Sequence, residues 1–235
     1  PRPRWCRAAY HVQICRPRRW PCTVVSGSEL EHSLLTNIET FAGKRIGILG
    51  GSFNPAHRGH LHISRQALKL LQLDEIWWMV SPQNPLKPTD DMADLRTRIE
   101  SAENIAKDRC IRVTDIEFEL GSTYTAETLT KLKQKFPKAR FVWLMGADNL
   151  MQIPKWKDWQ NIFRTVPIAV FTRPTYTNRA LAGFAARRFA RYRIDETQAH
   201  RLSARQAPAW AFLNIKPDAI SATRVRAGIG AVKLY

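Results

Sequence analysis

Residues 47–62, Gly-Ile-Leu-Gly-Gly-Ser-Phe-Asn-Pro-Ala-His-Arg-Gly-His-Leu-His, constrain the fold of this chain more than any other stretch. Residues 44–49 lead into them as a short apolar run, the pattern of a parallel strand covered on both faces. Gly50 and Gly51 then permit a close backbone approach that a side chain would block. Pro55 stops the strand ladder, and from about Gly59 the residues Leu61, Ile63, Ala67, Leu68, Leu70 and Leu71 recur at helical spacing. An anion held in such a turn, near Ser52 and Phe53, would face amide N–H groups and roughly half a unit of positive helix dipole. His57 and His60, three apart, are predicted to point at it from one side of the first helical turn.

The glycine spacing separates this turn from two common phosphate loops. A Walker loop needs Gly-x-x-x-x-Gly-Lys-Ser/Thr, and a dinucleotide turn needs Gly-x-Gly-x-x-Gly with an acid ~20 residues later; Gly47, Gly50 and Gly51 fit neither. The string present is Gly-x-Phe-x-Pro-x-His-x-Gly-His, filled by Gly51, Phe53, Pro55, His57, Gly59 and His60. Taken alone, a histidine beside a helix start is most often a cap or a solvated side chain. The glycines and Pro55 around this pair favour phosphate chemistry. His57, His60 and His62 could also offer nitrogens to a metal, but no Cys, Asp or Glu stands close by in sequence to complete a set.

Downstream, strand and helix patterns alternate. Residues 75–81, 111–115, 140–145 and 168–172 read as strands, and 91–106 and 125–136 as helices, the second with Thr125 as N-cap. Strands separated by helical stretches imply parallel pairing with right-handed crossovers, hence an open α/β sheet covered by helices. Ligands of such sheets bind beyond the carboxyl ends of the strands. The phosphate turn, residues 82–87 and residues 146–149 all follow strands, so they are predicted to converge there. Residues 178–206 are rich in Ala and Arg, with Leu181, Phe184, Ala185 and Phe189 on one helical face and the arginines on a solvated one. Near the end, Ser221 and Thr223 can cap a helix, and Arg226 can reach a phosphate from its first turns.

The 235 residues are 44% hydrophobic, ordinary for a globular protein. No apolar run approaches the ~20 residues of a membrane helix, so a soluble protein is expected. The formal charge of +17 is unevenly placed: six Arg face three Glu in residues 1–43, and twelve basic residues face three acids in 173–235. That excess favours polyanions without choosing among nucleic acid, membrane surface and nucleotide. Cys6, Cys15 and Cys22 match no zinc spacing and Cys110 stands apart, which makes a reducing cytoplasm the default. Residues 1–43 read as a basic disordered leader or a mis-set start, and 44–235 as a single domain.

The string from Gly51 to His60 resembles the signature of the nucleotidylyltransferase superfamily, whose members attack the α-phosphate of a nucleoside triphosphate and release pyrophosphate. Ile220-Ser221-Ala222-Thr223-Arg224-Val225-Arg226 resembles its Ile-Ser-x-x-x-x-Arg signature, which binds the β and γ phosphates. Three further strings, Ser122-Thr123-Tyr124-Thr125-Ala126-Glu127-Thr128-Leu129, Gly146-Ala147-Asp148-Asn149-Leu150 and Pro154-Lys155-Trp156, resemble segments of bacterial nicotinate-nucleotide adenylyltransferases. The likeness runs from about Arg45 to Arg226.

It implies a Rossmann-like open, mainly parallel sheet with helices on both faces. It also implies adenylyl transfer from ATP to nicotinate mononucleotide, giving nicotinate adenine dinucleotide and pyrophosphate. His60, His57 and Arg226 would then be catalytic, with Gly50, Gly51, Ser52, Phe53, Gly146, Asp148, Ser221 and Thr223 around ATP. Lys87, Tyr124, Thr125 and Trp156 would surround the mononucleotide, the Tyr-Thr segment meeting the nicotinate carboxylate and Trp156 stacking on the pyridine. Read without the family, Trp156 is a core or rim aromatic, Thr125 a cap, and Asp148 a turn residue or cap. The turn lacks carboxylates, so Mg²⁺ is expected to be carried mainly by ATP. Asn54 stands where relatives often have Asp. The chain ends nine residues after Arg226, where relatives of the family continue into a further helix, so truncation or a shifted reading frame at both ends is the expectation. Rival readings are adenylylation of nicotinamide mononucleotide or phosphopantetheine, and a basic nucleic-acid-binding module. Against the module, much of the charge lies outside the motif-bearing middle; no nucleic-acid or membrane partner is expected, and homo-oligomerisation stays open.

Overall fold

The computed structural model describes residues 34–82, 92–173 and 175–216. Seven strands, β1 (Arg45–Gly51), β2 (Glu75–Val80), β3 (Ile111–Thr114), β4 (Arg140–Gly146), β5 (Ile168–Phe171), β6 (Arg193–Ile194) and β7 (Trp210–Leu213), form one sheet. Their order is β3-β2-β1-β4-β5-β7-β6, and every pairing is parallel. From β1 the chain builds outward through β2 and β3, then returns to β4 on the other flank of β1. The order therefore reverses between β1 and β4, so the binding crevice expected of such sheets falls beyond Gly51 and Gly146, the last residues of those strands.

Among the described residues, eight α-helices accompany the strands: α1 (Arg58–Leu70), α2 (Leu95–Ile105), α3 (Ile116–Glu119), α4 (Thr125–Lys135), α5 (Ala147–Gln152), α6 (Trp159–Thr165), α7 (Thr177–Leu181) and α8 (Phe184–Arg188). Because the pleat alternates, neighbouring residues of one strand feed opposite cores. Trp77 packs edge-on to Phe41, Phe136 and Phe141, whereas Trp78 faces the α1 side and donates its indole N–H to Ser64 Oγ at 2.7 Å. Both are fully buried, as expected of a strand with helices on each face. No helix among the described residues is long and apolar enough to cross a membrane.

The four expected strands after the first are present within a residue of their bounds, but β1 extends two residues beyond the apolar run. Gly50 and Gly51 pair with Met79 and Val80, so both belong to the ladder and the turn follows them. The reason lies on the next strand: a Cβ on Gly50 would sit 2.3 Å from Cη2 of Trp143, whose ring fills that space. Thr125 is the first residue of α4 and not its cap; the cap is Tyr124, which keeps an extended backbone. α2 begins at Leu95, with the Asp94 carboxylate accepting from Thr97 N at 3.0 Å; Asp91 lies outside the described residues.

The single helical face read over residues 178–206 is not formed. Gly183 separates α7 from α8, Phe184 is 58% exposed, and only Ala185 and Phe189 of the four marked positions are buried. The short β6 and β7 were not legible, since two and four residues are too few to show a period. Gly50→Ala is expected to lower stability by about 1–3 kcal/mol through crowding against Trp143, read as a shifted urea midpoint. Adding Trp143→Phe should recover most of it, and an unshifted Gly50→Ala midpoint would mean that the indole yields freely.

Candidate active site

Beyond Gly51 the chain turns through Phe53 at φ +46°, a conformation costing a side-chain-bearing residue about 1–2 kcal/mol. Burial offsets that cost. The Phe53 ring is 2% exposed and stacks on Trp78 at 5.2 Å, a gain of about 2–3 kcal/mol. Phe53 therefore presents its backbone to the crevice, while its ring lies 4.7 Å behind the His60 ring.

His57 is the N-cap of α1. Its Nδ1 accepts from Gly59 N at 3.1 Å, and His60 Nδ1 accepts from His57 N at 3.2 Å. A backbone N–H can only donate, so neither Nδ1 carries a proton while these bonds hold. The proton of each neutral ring therefore sits on Nε2 and makes that atom a donor. The rings stack 3.8 Å apart, and the capping role expected of these histidines falls to their Nδ1 atoms.

Of the other expected residues, Gly146 and Asp148 stand where β4 passes into α5. Gly146 caps α5, and the Asp148 side chain folds back so that a Cβ at 146 would lie 2.5 Å from its Oδ1. Asp148 also pairs with Arg173, a cation two residues past β5 that the sequence reading passed over. Tyr124 stands at the start of α4, 36% exposed, with the Lys157 ammonium 4.3 Å over its ring. That contact ties the start of α4 to Lys157, whose chain neighbour Trp156 is partly packed on the core. His62 Nε2 donates to Lys216 O at 2.8 Å, so the chain leaving β7 is held against α1. Lys87, Ser221, Thr223 and Arg226 lie outside the described residues. Among the described residues, no group of three or more His, Cys, Asp or Glu could hold a metal ion.

Comparison with known proteins shows the family. The cytidylyltransferase-like family model matches residues 48–228. "Probable nicotinate-nucleotide adenylyltransferase" of Parvibaculum lavamentivorans is 51% identical over 184 residues, 78% of this chain and 92% of the relative. The protein of the same name from Gluconobacter oxydans is 51% identical over 182 residues, 77% and 93% of the two chains. The chain belongs to the nicotinate-nucleotide adenylyltransferase family. Among solved structures, the Plasmodium falciparum nicotinic acid mononucleotide adenylyltransferase complexed with NaAD matches with a TM-score of 0.58 at 20% identity, over 78% of this chain and 83% of that one. At that identity the likeness speaks for the fold, a Rossmann-like nucleotidylyltransferase sheet.

Two buried charged residues brace the crevice of this family member, and neither was singled out from the sequence. Arg98 on α2 is 2% exposed. Its guanidinium donates to Ala93 O at 2.9 Å, Ser52 O at 2.8 Å, Ser81 O at 2.7 Å and Pro82 O at 2.9 Å, so it ties the exits of β1 and β2 together. Burial pulls it below the usual arginine value, partly opposed by Asp94. Arg98→Met should orphan these carbonyls and cost about 3 kcal/mol in denaturant unfolding. Arg98→Lys should recover little, since an ammonium cannot span the fork of acceptors.

Glu117 on α3 is 4% exposed, and its Oε1 is hydrogen-bonded to Thr128 Oγ1 at 3.1 Å. Burial pushes its carboxyl up to about 7, against the opposing hydrogen bonds of Thr128 and Ser81. Between the ordinary 4.5 and about 7, the folded protein keeps a proton that the unfolded chain releases. Stability therefore falls as pH rises through that window, by about 3 kcal/mol at most, and levels off above it. Glu117→Gln does not titrate, so the melting temperature of that variant should gain on the native protein between pH 5 and pH 8. A constant difference would show that Glu117 does not titrate in this range.

Proposed function

We propose that this protein transfers the adenylyl group of ATP to nicotinate mononucleotide, releasing pyrophosphate and forming nicotinate adenine dinucleotide. The observation that carries the reading is the stacked His57–His60 pair, with both Nδ1 atoms occupied as acceptors at the start of α1 and both protons on Nε2. Two such donors, backed by a helix N-terminus at the switch point of a parallel sheet, suit a phosphate that gains charge during reaction. In the reaction, an oxygen of the mononucleotide's 5′-phosphate attacks the α-phosphorus in line. The bond from that phosphorus to the bridging oxygen breaks, and pyrophosphate leaves with its electron pair. A phosphate monoester is already anionic near neutral pH, so positioning and charge stabilisation suffice without a general base.

His60 donates from Nε2 to the α-phosphate, and His57 holds the phosphates beside it. Gly50, Gly51, Ser52 and Phe53 let the backbone approach, and Asp148, beside Gly146, is the candidate partner for ribose hydroxyls. Ser221, Thr223 and Arg226 are assigned to the β and γ phosphates. Ser221 follows Lys216 by five residues, about 17 Å of extended chain at most, and Lys216 is held against α1 through His62. Mg²⁺, carried on the triphosphate, would supply positive charge for the leaving pyrophosphate; the turn offers no carboxylate to hold it independently.

For the second substrate, Trp156 stacks on the pyridine ring and the first amides of α4, from Tyr124 and Thr125, receive its carboxylate, with Lys87 near the nucleotides. The Lys157 ammonium adds positive charge beside that segment, which favours the acid over the amide. The proposed compartment is the cytoplasm. A pyrophosphate-release assay with ATP and Mg²⁺ should give faster turnover with nicotinate mononucleotide than with its amide or phosphopantetheine; preference for either of those would replace the acceptor. His60→Ala should lower turnover by ~10²–10³-fold while the far-UV spectrum is kept, and turnover near the native rate would take His60 out of the chemistry.

A further inference from the structure

The buried hydroxyls around Glu117 lie directly behind the segment assigned to the nicotinate carboxylate. Thr128 Oγ1 stands 3.1 Å from Glu117 Oε1, 2.9 Å from Ser122 Oγ and 3.1 Å from the backbone oxygen of Tyr124. Glu117, Ser122 and Thr128 are all buried, at 4%, 5% and 0% exposure. The backbone closes the same ring: Ser122 N donates to Glu117 O at 3.0 Å, and Thr128 N to Tyr124 O at 3.0 Å.

Counting protons shows what the cluster does. Thr128 has one hydroxyl hydrogen and two lone pairs for three oxygen neighbours, and the Tyr124 carbonyl can only accept. All three contacts are satisfied together when a protonated Glu117 and Ser122 each donate to Thr128, leaving the Thr128 hydrogen for Tyr124 O. An ionised Glu117 claims that hydrogen for itself. The neutral acid, or an amide in its place, thus leaves the Thr128 hydroxyl to add a second hydrogen bond to the Tyr124 carbonyl, which already accepts from Thr128 N. Because the peptide unit is planar, fixing that oxygen also fixes the direction of the Thr125 N–H on the other side of the same bond.

A second branch reaches the phosphate turn. The Ser81 hydroxyl bonds to the Glu117 carboxyl. Ser81 N donates to Gly51 O at 2.9 Å, and Ser81 O accepts from Arg98, which also holds Ser52 O. One buried carboxyl therefore links the ATP-side turn to the start of α4.

We propose that Glu117 is a positioning residue for the acceptor substrate, acting through Thr128 to aim the Thr125 amide at the pyridine carboxylate. This rests on the adenylyl-transfer reading above. Glu117→Met, which keeps the volume and removes the hydrogen bonds, should raise KM for nicotinate mononucleotide about tenfold or more, with KM for ATP within about twofold. Glu117→Gln should stay close to the native values. Thr128→Val should reproduce the Glu117→Met split, Thr128→Ser should not, and this second pair carries the test if Glu117→Met fails to fold. Equal rises in both KM values, or loss of stability with neither KM moved, would overturn the positioning role. Failure of the native enzyme to use nicotinate mononucleotide would remove the function reading and this proposal together, whereas native turnover without the split removes the proposal alone.

Discussion

The buried guanidinium of Arg98 fastens the carboxyl edge of the sheet, and the geometry of the crevice depends on that fastening. Parallel strands end in exits whose backbone carbonyls have left the ladder and need other donors. Here four carbonyls from the exits of β1 and β2 and the approach to α2 converge on one fork of N–H groups. A neutral donor set would need several side chains to do the same, and a lysine could not span the distance. Once Ser52 and Ser81 are held, the turn carrying Phe53 and the histidines has a fixed base.

From that base the site is assembled by packing rather than by polar contacts alone. Phe53 accepts an uncommon backbone conformation because Trp78 offers its ring a buried stack, and the same ring backs His60. Trp78 is anchored in turn by Ser64 on α1, so the helix whose start bears the histidines is also tied to the strand beneath them. Glu117 extends this frame to α4. The turn bearing the histidines and the start of α4 are thereby parts of one hydrogen-bonded core.

Much of this was legible residue by residue. The apolar runs of β1, β2, β4 and β5 are long enough to show their type, and the alternation with helices carries the parallel topology. His57, Gly59 and His60 announce themselves by spacing. Arg98, Arg173 and Glu117 did not, because an arginine or glutamate in a helical or turn sequence reads as solvated until its neighbours are known. The exposed Phe184 and the break at Gly183 show the converse error: helical spacing was present, but the segment was too short and too interrupted to bury a continuous face.

By itself the sequence determined the chemistry available: a strand-glycine-helix turn with two imidazoles, and the family to which its motifs belong. These are local properties, set by residue type and spacing along a few turns of chain. Tertiary structure decided which oxygen each donor meets. It occupied both histidine Nδ1 atoms and so put their protons on Nε2, and it gave Gly50 to Trp143. It also sealed Glu117 among hydroxyls, where its proton has somewhere useful to go. Those outcomes depend on contacts between residues far apart in the chain, and burial, which sets the value of each polar contact, exists only once the chain has folded.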